Sequence, residues 1–241
     1  PGTNTVGLIG RMNGASALVT DIGLVGGSVT GGSDTGALVG SNSGGTVQQS
    51  YATSQVTGGG GRVGGMVGIN SGTVIRSYAT GAVLGGGGVG GLVGFNNAGT
   101  VQQRYATGSV GIGAAGFDGS AGGLVGLNNN GTVTQSYATG AVSGVIAGGL
   151  VGAHNGGTVT ESYATGLVAG TSFAGGLLGR TIGGTVNNSY WDADTTGRAN
   201  GVGSNIAGTF NGTGRTTAEL QGGDANVIVN LGSAFAGGAG G

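Results

Sequence analysis

Residues 90–107, GGLVGFNNAGTVQQRYAT, recur as near-copies five more times along the chain, and a chain written this way must fold by stacking its copies on one another. The leading half returns at residues 36–40, 64–68, 122–126, 148–152 and 175–179. The trailing half returns with its tyrosines at Tyr51, Tyr78, Tyr105, Tyr137, Tyr163 and Tyr190, separated by 27, 27, 32, 26 and 27 residues. A divergent copy opens the chain with Gly7-Leu8-Ile9-Gly10 and places Ile22 near the tyrosine position, which makes about seven units.

A unit of this length would reach roughly 90 Å if extended, so each must fold back on itself, with Gly and Asn clusters at the corners. Its apolar patches are short and rich in Val, Thr and Tyr, and none carries a helical period. The expected fold is all-β, a parallel β-helix or β-solenoid of about seven coils, each with about three short strands, stacked at roughly 4.8 Å into a rod about 34 Å long. Residues 1–190 form the array, with 1–35 a divergent first coil, and residues 191–241 form a C-terminal cap and flexible tail. In that cap Thr216-Thr217-Ala218-Glu219 spells a capping box for one short helix. The extra residues of the long interval, VGIGAAGFDGS at 110–120, predict a longer loop at one corner.

Stacking places like on like. Leu8, Leu38, Met66, Leu92, Leu124, Leu150 and Leu177 form one interior ladder, and Val47, Val74, Val101, Val133, Val159 and Val186 a second. Val56, Val83, Val110, Val142 and Val168 form a third, each buried side chain contributing roughly 1.5 to 3 kcal/mol. Asn42, Asn70, Asn96 and Asn128 suit a corner where amides hydrogen-bond along the rod, and His154, the one histidine, takes the same position structurally.

Three files are candidate surface. In Leu38-Val39 and its equivalents alternation turns one residue outward, so Val39, Val67, Val93, Val125 and Val151 are either covered by loops or the C-terminal segment or form a lateral interface with another copy. Thr46, Thr73, Thr100, Thr132, Thr158 and Thr185 face out in one file, hydroxyl over hydroxyl. The tyrosines are ambiguous. Counting by twos from Val56 turns Tyr51 outward, and counting from Val47 turns it inward but takes Gln49, Arg76, Gln103 and Glu161 with it unless a corner intervenes. The tendency of large repeated apolar residues to be core favours the inward placement.

The second half of the chain closes on "SYWDADTTG" at 189–197, and Gly91-Leu92-Val93-Gly94 shows a Gly-Leu-x-Gly core. Residues 36–197 thereby resemble GLUG-motif repeats. Such repeats occur in large secreted bacterial proteins: filamentous-haemagglutinin-like adhesins exported by two-partner secretion, and surface-anchored immunoglobulin A peptidases whose zinc-binding HExxH is absent here. The resemblance implies an extracellular or cell-surface bacterial protein, an adhesin segment rather than a catalyst.

Chemistry-bearing motifs are few. A single His and no Cys leave no zinc set, and no GxSxG elbow supports a serine nucleophile. Gly111, Gly113 and Gly116 match GxGxxG, which 66 glycines produce by chance. Asp192 and Asp194 imitate the start of a calcium loop, yet Gly203 stands where its bidentate glutamate belongs, so they are a weak metal candidate. The sequons at Asn130, Asn187 and Asn211 arise readily in Asn-Gly-Thr corners. With 6% charged residues and a net charge of −1, the chain lacks the footprint of a nucleic-acid or anionic-membrane binder. No apolar run is long enough to insert into a bilayer, no basic-apolar signal peptide opens the sequence, and Pro1 suggests an excised segment of a longer chain.

The expected function is a non-catalytic, extracellular structural or adhesive solenoid without cofactor. Its expected partners are a second copy, in a filament or bundle, or a host or neighbouring-cell surface. The alternatives are an ice-binding solenoid, whose usual faces carry two threonine files, and a glycan-binding module.

Overall fold

A computed structural model describes residues 5–113 and 119–221. The chain winds into a parallel β-solenoid of about 8 turns of ~27 residues. Each turn is broken more finely than the three strands expected. The third runs through Arg62–Gly64, Val67–Asn70, Thr73–Ile75, Tyr78–Ala79 and Val83–Gly85. The segments of successive turns pair in parallel, like residue over like. Val67 lies between Val39 and Val93, Thr73 between Thr46 and Thr100, Tyr78 between Tyr51 and Tyr105, and Val83 between Val56 and Val110. Two stacked sheets result, of 18 and 11 strands among the described residues, with the core between them.

The leucine and second valine ladders are fully buried from the second turn to the seventh, and the third valine ladder is at most 2% exposed. Leu8 departs from this expectation at 60% exposure, because the first turn has no neighbour beneath it within the described chain. Val39, Val67, Val93, Val125 and Val151 depart in the opposite sense: all are 0% exposed and belong to the core rather than to an interface. Strict alternation fails there because the backbone folds a bulge between the two residues. The amides of Leu92 and Val93 both donate to the carbonyl of Leu124, at 3.0 and 3.1 Å, and the same pair of bonds to one carbonyl recurs from the second turn to the seventh. Gly90 makes that corner possible, since a Cβ there would lie 2.0 Å from the Val93 carbonyl oxygen.

A second corner is marked by left-handed residues that are not glycine. Gln49, Arg76, Gln103, Gln135, Glu161 and Asn188 have φ between 45° and 55°, one per turn. Each changes the phase between the Thr-Val segment and the Ser-Tyr-Ala segment, so Ser50 and Ala52 point inward and Tyr51 outward. In the first turn Asp21 (φ 56°) holds this corner, Ile22 takes the serine place, and Gly23 rather than Ile22 pairs with Tyr51.

The asparagine corner is a continuous buried relay. Asn42 Nδ2 donates to Asn70 Oδ1 at 2.9 Å, Asn70 to Asn96 at 2.9 Å, Asn96 to Asn128 at 2.8 Å, and Asn128 Nδ2 meets His154 Nδ1 at 3.0 Å. Asn42, Asn96 and Asn128 also hold the carbonyls of Gly45, Gly99 and Gly131, tying the ladder to the backbone of the next corner. Within this relay Asn128 Nδ2 is the donor, so His154 Nδ1 is the acceptor and the imidazole is neutral, as burial also requires.

The stacking outlasts residue 190, where sequence repetition fades. Val202–Asn205 and Thr209–Arg215 form an eighth turn, pairing Val186 with Phe210 and Asp192 with Arg215. Among the described residues the stacked turns therefore run to residue 215, past the expected boundary at 190. Helix α1 (Ala193–Thr196) is capped by Asp192 at its start and left-handed Gly197 at its end. Helix α2 (Thr217–Gln221) opens with the expected capping box, Thr216 N donating to Glu219 Oε2 at 2.7 Å and Glu219 N to Thr216 Oγ1 at 3.2 Å. Residues 222–241 of the expected cap and tail lie outside the described residues, as does the middle of the predicted long loop, 114–118.

Candidate interaction surface

The tyrosines stand outside. Tyr51, Tyr78, Tyr105, Tyr137 and Tyr163 are half-buried on the exterior, and their alanine neighbours Ala52, Ala79, Ala106, Ala138 and Ala164 fill the core. Successive rings stack with centroids 4.7–5.1 Å apart and planes within 12° of parallel, wider than face contact alone, so the stack is offset. Each ring covers much of its neighbour's face and leaves an edge outward. That suits a periodic partner better than a single sugar ring seeking an aromatic face. The inward expectation overlooked the phase change at the left-handed corner. Only Tyr190, at the seventh turn, is fully buried.

Packing raises the phenol pKa values. Burial, then the neighbouring Tyr78 and Tyr137, raises that of Tyr105. Burial raises that of Tyr137, and burial followed by Tyr137 pushes Tyr163 up to about 12. Tyr105, Tyr137 and Tyr163 are thus uncharged at every physiological pH.

From each of the five exterior tyrosines the chain runs seven residues in unbroken in-out alternation. In the third turn Tyr78, Thr80, Ala82 and Leu84 face out, while Ala79, Gly81, Val83 and Gly85 are buried. Two features of this face were missed in the sequence. One is a second threonine file, Thr53, Thr80, Thr107, Thr139 and Thr165, two residues beyond each tyrosine. The other is an open trough of about 450 Å³ over the second to sixth turns, floored by small residues such as Ala82, Ser109, Gly111, Ala141 and Ser143. The recurring Tyr-Ala-Thr was the available signal for the file; the trough follows from side-chain size and left no motif.

The first threonine file, Thr46 to Thr185, also faces out, half-buried, and is extended by Thr209 to seven members. Beside it, Thr134 and Thr160 pair in the fifth and sixth turns, so over that patch two threonine files run together.

Asp192 and Asp194 serve the cap. Asp192 Oδ1 accepts from the amides of Asp194 and Thr195, Asp192 Oδ2 accepts from Thr217 Oγ1, and Asp194 Oδ2 accepts from Thr217 N. Both carboxylates therefore fasten α2 to α1, and no cluster of three metal-ligating side chains occurs among the described residues.

One interior side chain breaks the pattern. Ser50, Ser77, Ser136, Ser162 and Ser189 line the inside of the tyrosine corner, where Ser50 N donates to Ser77 Oγ at 3.1 Å and Ser162 N to Ser189 Oγ at 3.3 Å. In the fourth turn Arg104 takes that place, 1% exposed. Its Nη1 donates to the Gln103 carbonyl, while Nε and Nη2 have no hydrogen-bond partner among the described residues. Burial, then Arg76, lowers its pKa to about 8.

The fold and its files define a class: a β-solenoid repeat protein whose side chains stack in ladders both inside and out. Residues 118–143 match the family model described as the GLUG motif; residues 119–143 of that match lie in the fifth turn, and the equivalent residues of neighbouring turns stack on them in register. No curated protein and no solved structure matches the chain.

Proposed function

We propose that this chain is a non-catalytic structural and adhesive solenoid, displayed outside a bacterial cell, that meets a host surface, a neighbouring cell or a second copy of itself through its stacked exterior files. The observation that carries it is the outward tyrosine ladder, a line of amphipathic edges repeated once per turn. Most other distinctive polar groups, including the asparagine relay, His154 and the two cap aspartates, serve to hold the fold. Display of the chain on a non-adherent bacterium is expected to raise its retention on host cells or to clump the bacteria. A displayed, folded chain that does neither would remove this reading.

The paired threonine files of the fifth and sixth turns favour ice binding as a second reading. Thermal hysteresis in dilute solution, abolished by Thr134→Lys with Thr160→Lys, is the result that would support it over adhesion.

A further inference from the structure

Ridge and trough share one face and one extent. The tyrosine ridge runs from Tyr51 to Tyr163, and the trough beside it runs from Gln55 to Ala169, both spanning the second to sixth turns. The first turn carries Gly23 where the ridge would continue, and Tyr190 of the seventh is buried, so the two features begin and end together. The trough rim is apolar, with Leu84 46% and Leu167 58% exposed.

We infer that this face is self-complementary and joins two copies of the chain side by side and parallel, the tyrosine ridge of each seated in the trough of the other. This rests on the self-association half of the proposed function and specifies its surface and symmetry. A two-fold axis along the rod direction, passing over the central threonine file, exchanges left and right across the face without changing height. It therefore lays ridge over trough twice and brings each turn against the same turn of its partner. An antiparallel pair would instead set ridge on ridge.

Three further observations favour a second copy as the occupant. A partner touching every rung must repeat at the stacking distance of the solenoid, and another copy does so by construction. The face is about 26 Å wide and about 24 Å tall, about 600 Å² per copy and about 1,200 Å² for the pair, at the lower edge of specific interfaces. With seven basic and eight acidic residues in the whole chain, no large charge opposes the approach of like surfaces.

The test uses the full chain in sedimentation velocity and small-angle scattering across a concentration series. The expected dimer has an enlarged cross-section and unchanged length. Tyr105→Lys on the ridge and Ser109→Glu in the trough of the same turn should each weaken it at least tenfold, with circular dichroism confirming the fold. Because the two positions face each other across the two-fold, mixing the two variants should restore a heterodimer. Tyr105→Lys mixed with Leu167→Glu, two turns away, should not. A wild-type dimer that neither substitution weakens, or one rescued equally by the mismatched mixture, overturns the ridge-in-trough inference and leaves self-association standing. A chain that stays monomeric at every concentration overturns both, and leaves adhesion to be judged by the display experiment.

Discussion

His154 and Arg104 are fully buried titratable side chains set where their neighbours carry a neutral amide or hydroxyl, and the fold treats them differently. The imidazole can replace an amide because its Nδ1 accepts from Asn128, and Gly184 leaves room where a Cβ would lie 2.5 Å from Nε2. Burial lowers its pKa to about 4, below the unfolded value of about 6.5. The unfolded chain therefore takes up a proton first on acidification. The stabilisation is complete above about pH 6.5 and is lost as pH falls toward 4, amounting to roughly 3 kcal/mol. His154→Asn should flatten this part of a denaturation-against-pH profile; an unchanged slope would show that the imidazole is already charged in the fold. Arg104 is accommodated less well: in the serine place its Nε and Nη2 both have no partner among the described residues, against the single Nε2 of the imidazole. Arg104→Ser restores the residue found in the flanking turns and should raise stability by about 2 to 4 kcal/mol in urea titration. A loss of stability would mean that the arginine has a partner holding it there.

Within the ladders, the value of a rung depends on its place. Asn96 sits in the middle of the amide relay, and Asn96→Ala takes the donor from Asn128 Oδ1 and an acceptor from Asn70 Nδ2, both buried, at a cost of about 3 kcal/mol. Asn42 ends the relay over Met12, and its own Oδ1 already has no partner among the described residues, so Asn42→Ala should cost about half as much. Equal losses in chemical denaturation would show that the asparagines act as independent corners. These ladders were legible in the sequence because stacking in parallel makes spatial neighbours of residues one period apart. The Leu, Val and Asn files could be read by counting. What counting missed were the places where alternation resets. The bulge between Leu92 and Val93 hides a second buried ladder, and the left-handed turn at Gln103 or Glu161 uses residues with no special liking for positive φ. The tyrosine ladder, and with it the candidate surface, lies just past that unsignalled corner.

At the scale of the molecule the two described ends differ, and the difference follows from what covers the last alanine of the core. At the C-terminal end Trp191 takes the place of Ala164, and its indole occupies the space left by Gly176, Gly201 and Gly214, while Phe210 lies at 6.1 Å. Trp191 Nε1 donates to the Arg198 carbonyl, and Arg198 in turn donates to that of Val168, so the plug is tied to the loop above it. The eighth turn was hidden in the sequence because Phe210 replaces valine and Gly214 replaces alanine, although Val202-Gly203 and Thr209 follow Leu178-Gly179 and Thr185 at the same interval of 24 residues. At the other end the first turn leaves Leu8, Leu18 and Val25 at least 57% exposed and places only Leu24 under the alanine file. In a solenoid each turn is held by its neighbours alone, so opening starts at the weaker end and travels. Amide exchange should be fastest across 5–31 and slower in 202–215. Trp191→Ala, expected to cost about 3 to 5 kcal/mol, should reverse that order by loosening 202–215 first. Because this is the only tryptophan, its fluorescence follows the C-terminal turns alone, and in the wild-type chain it should change later in denaturant than protection of the first turn. Simultaneous loss of both signals would make the rod one cooperative unit, with no weak end for opening to start from.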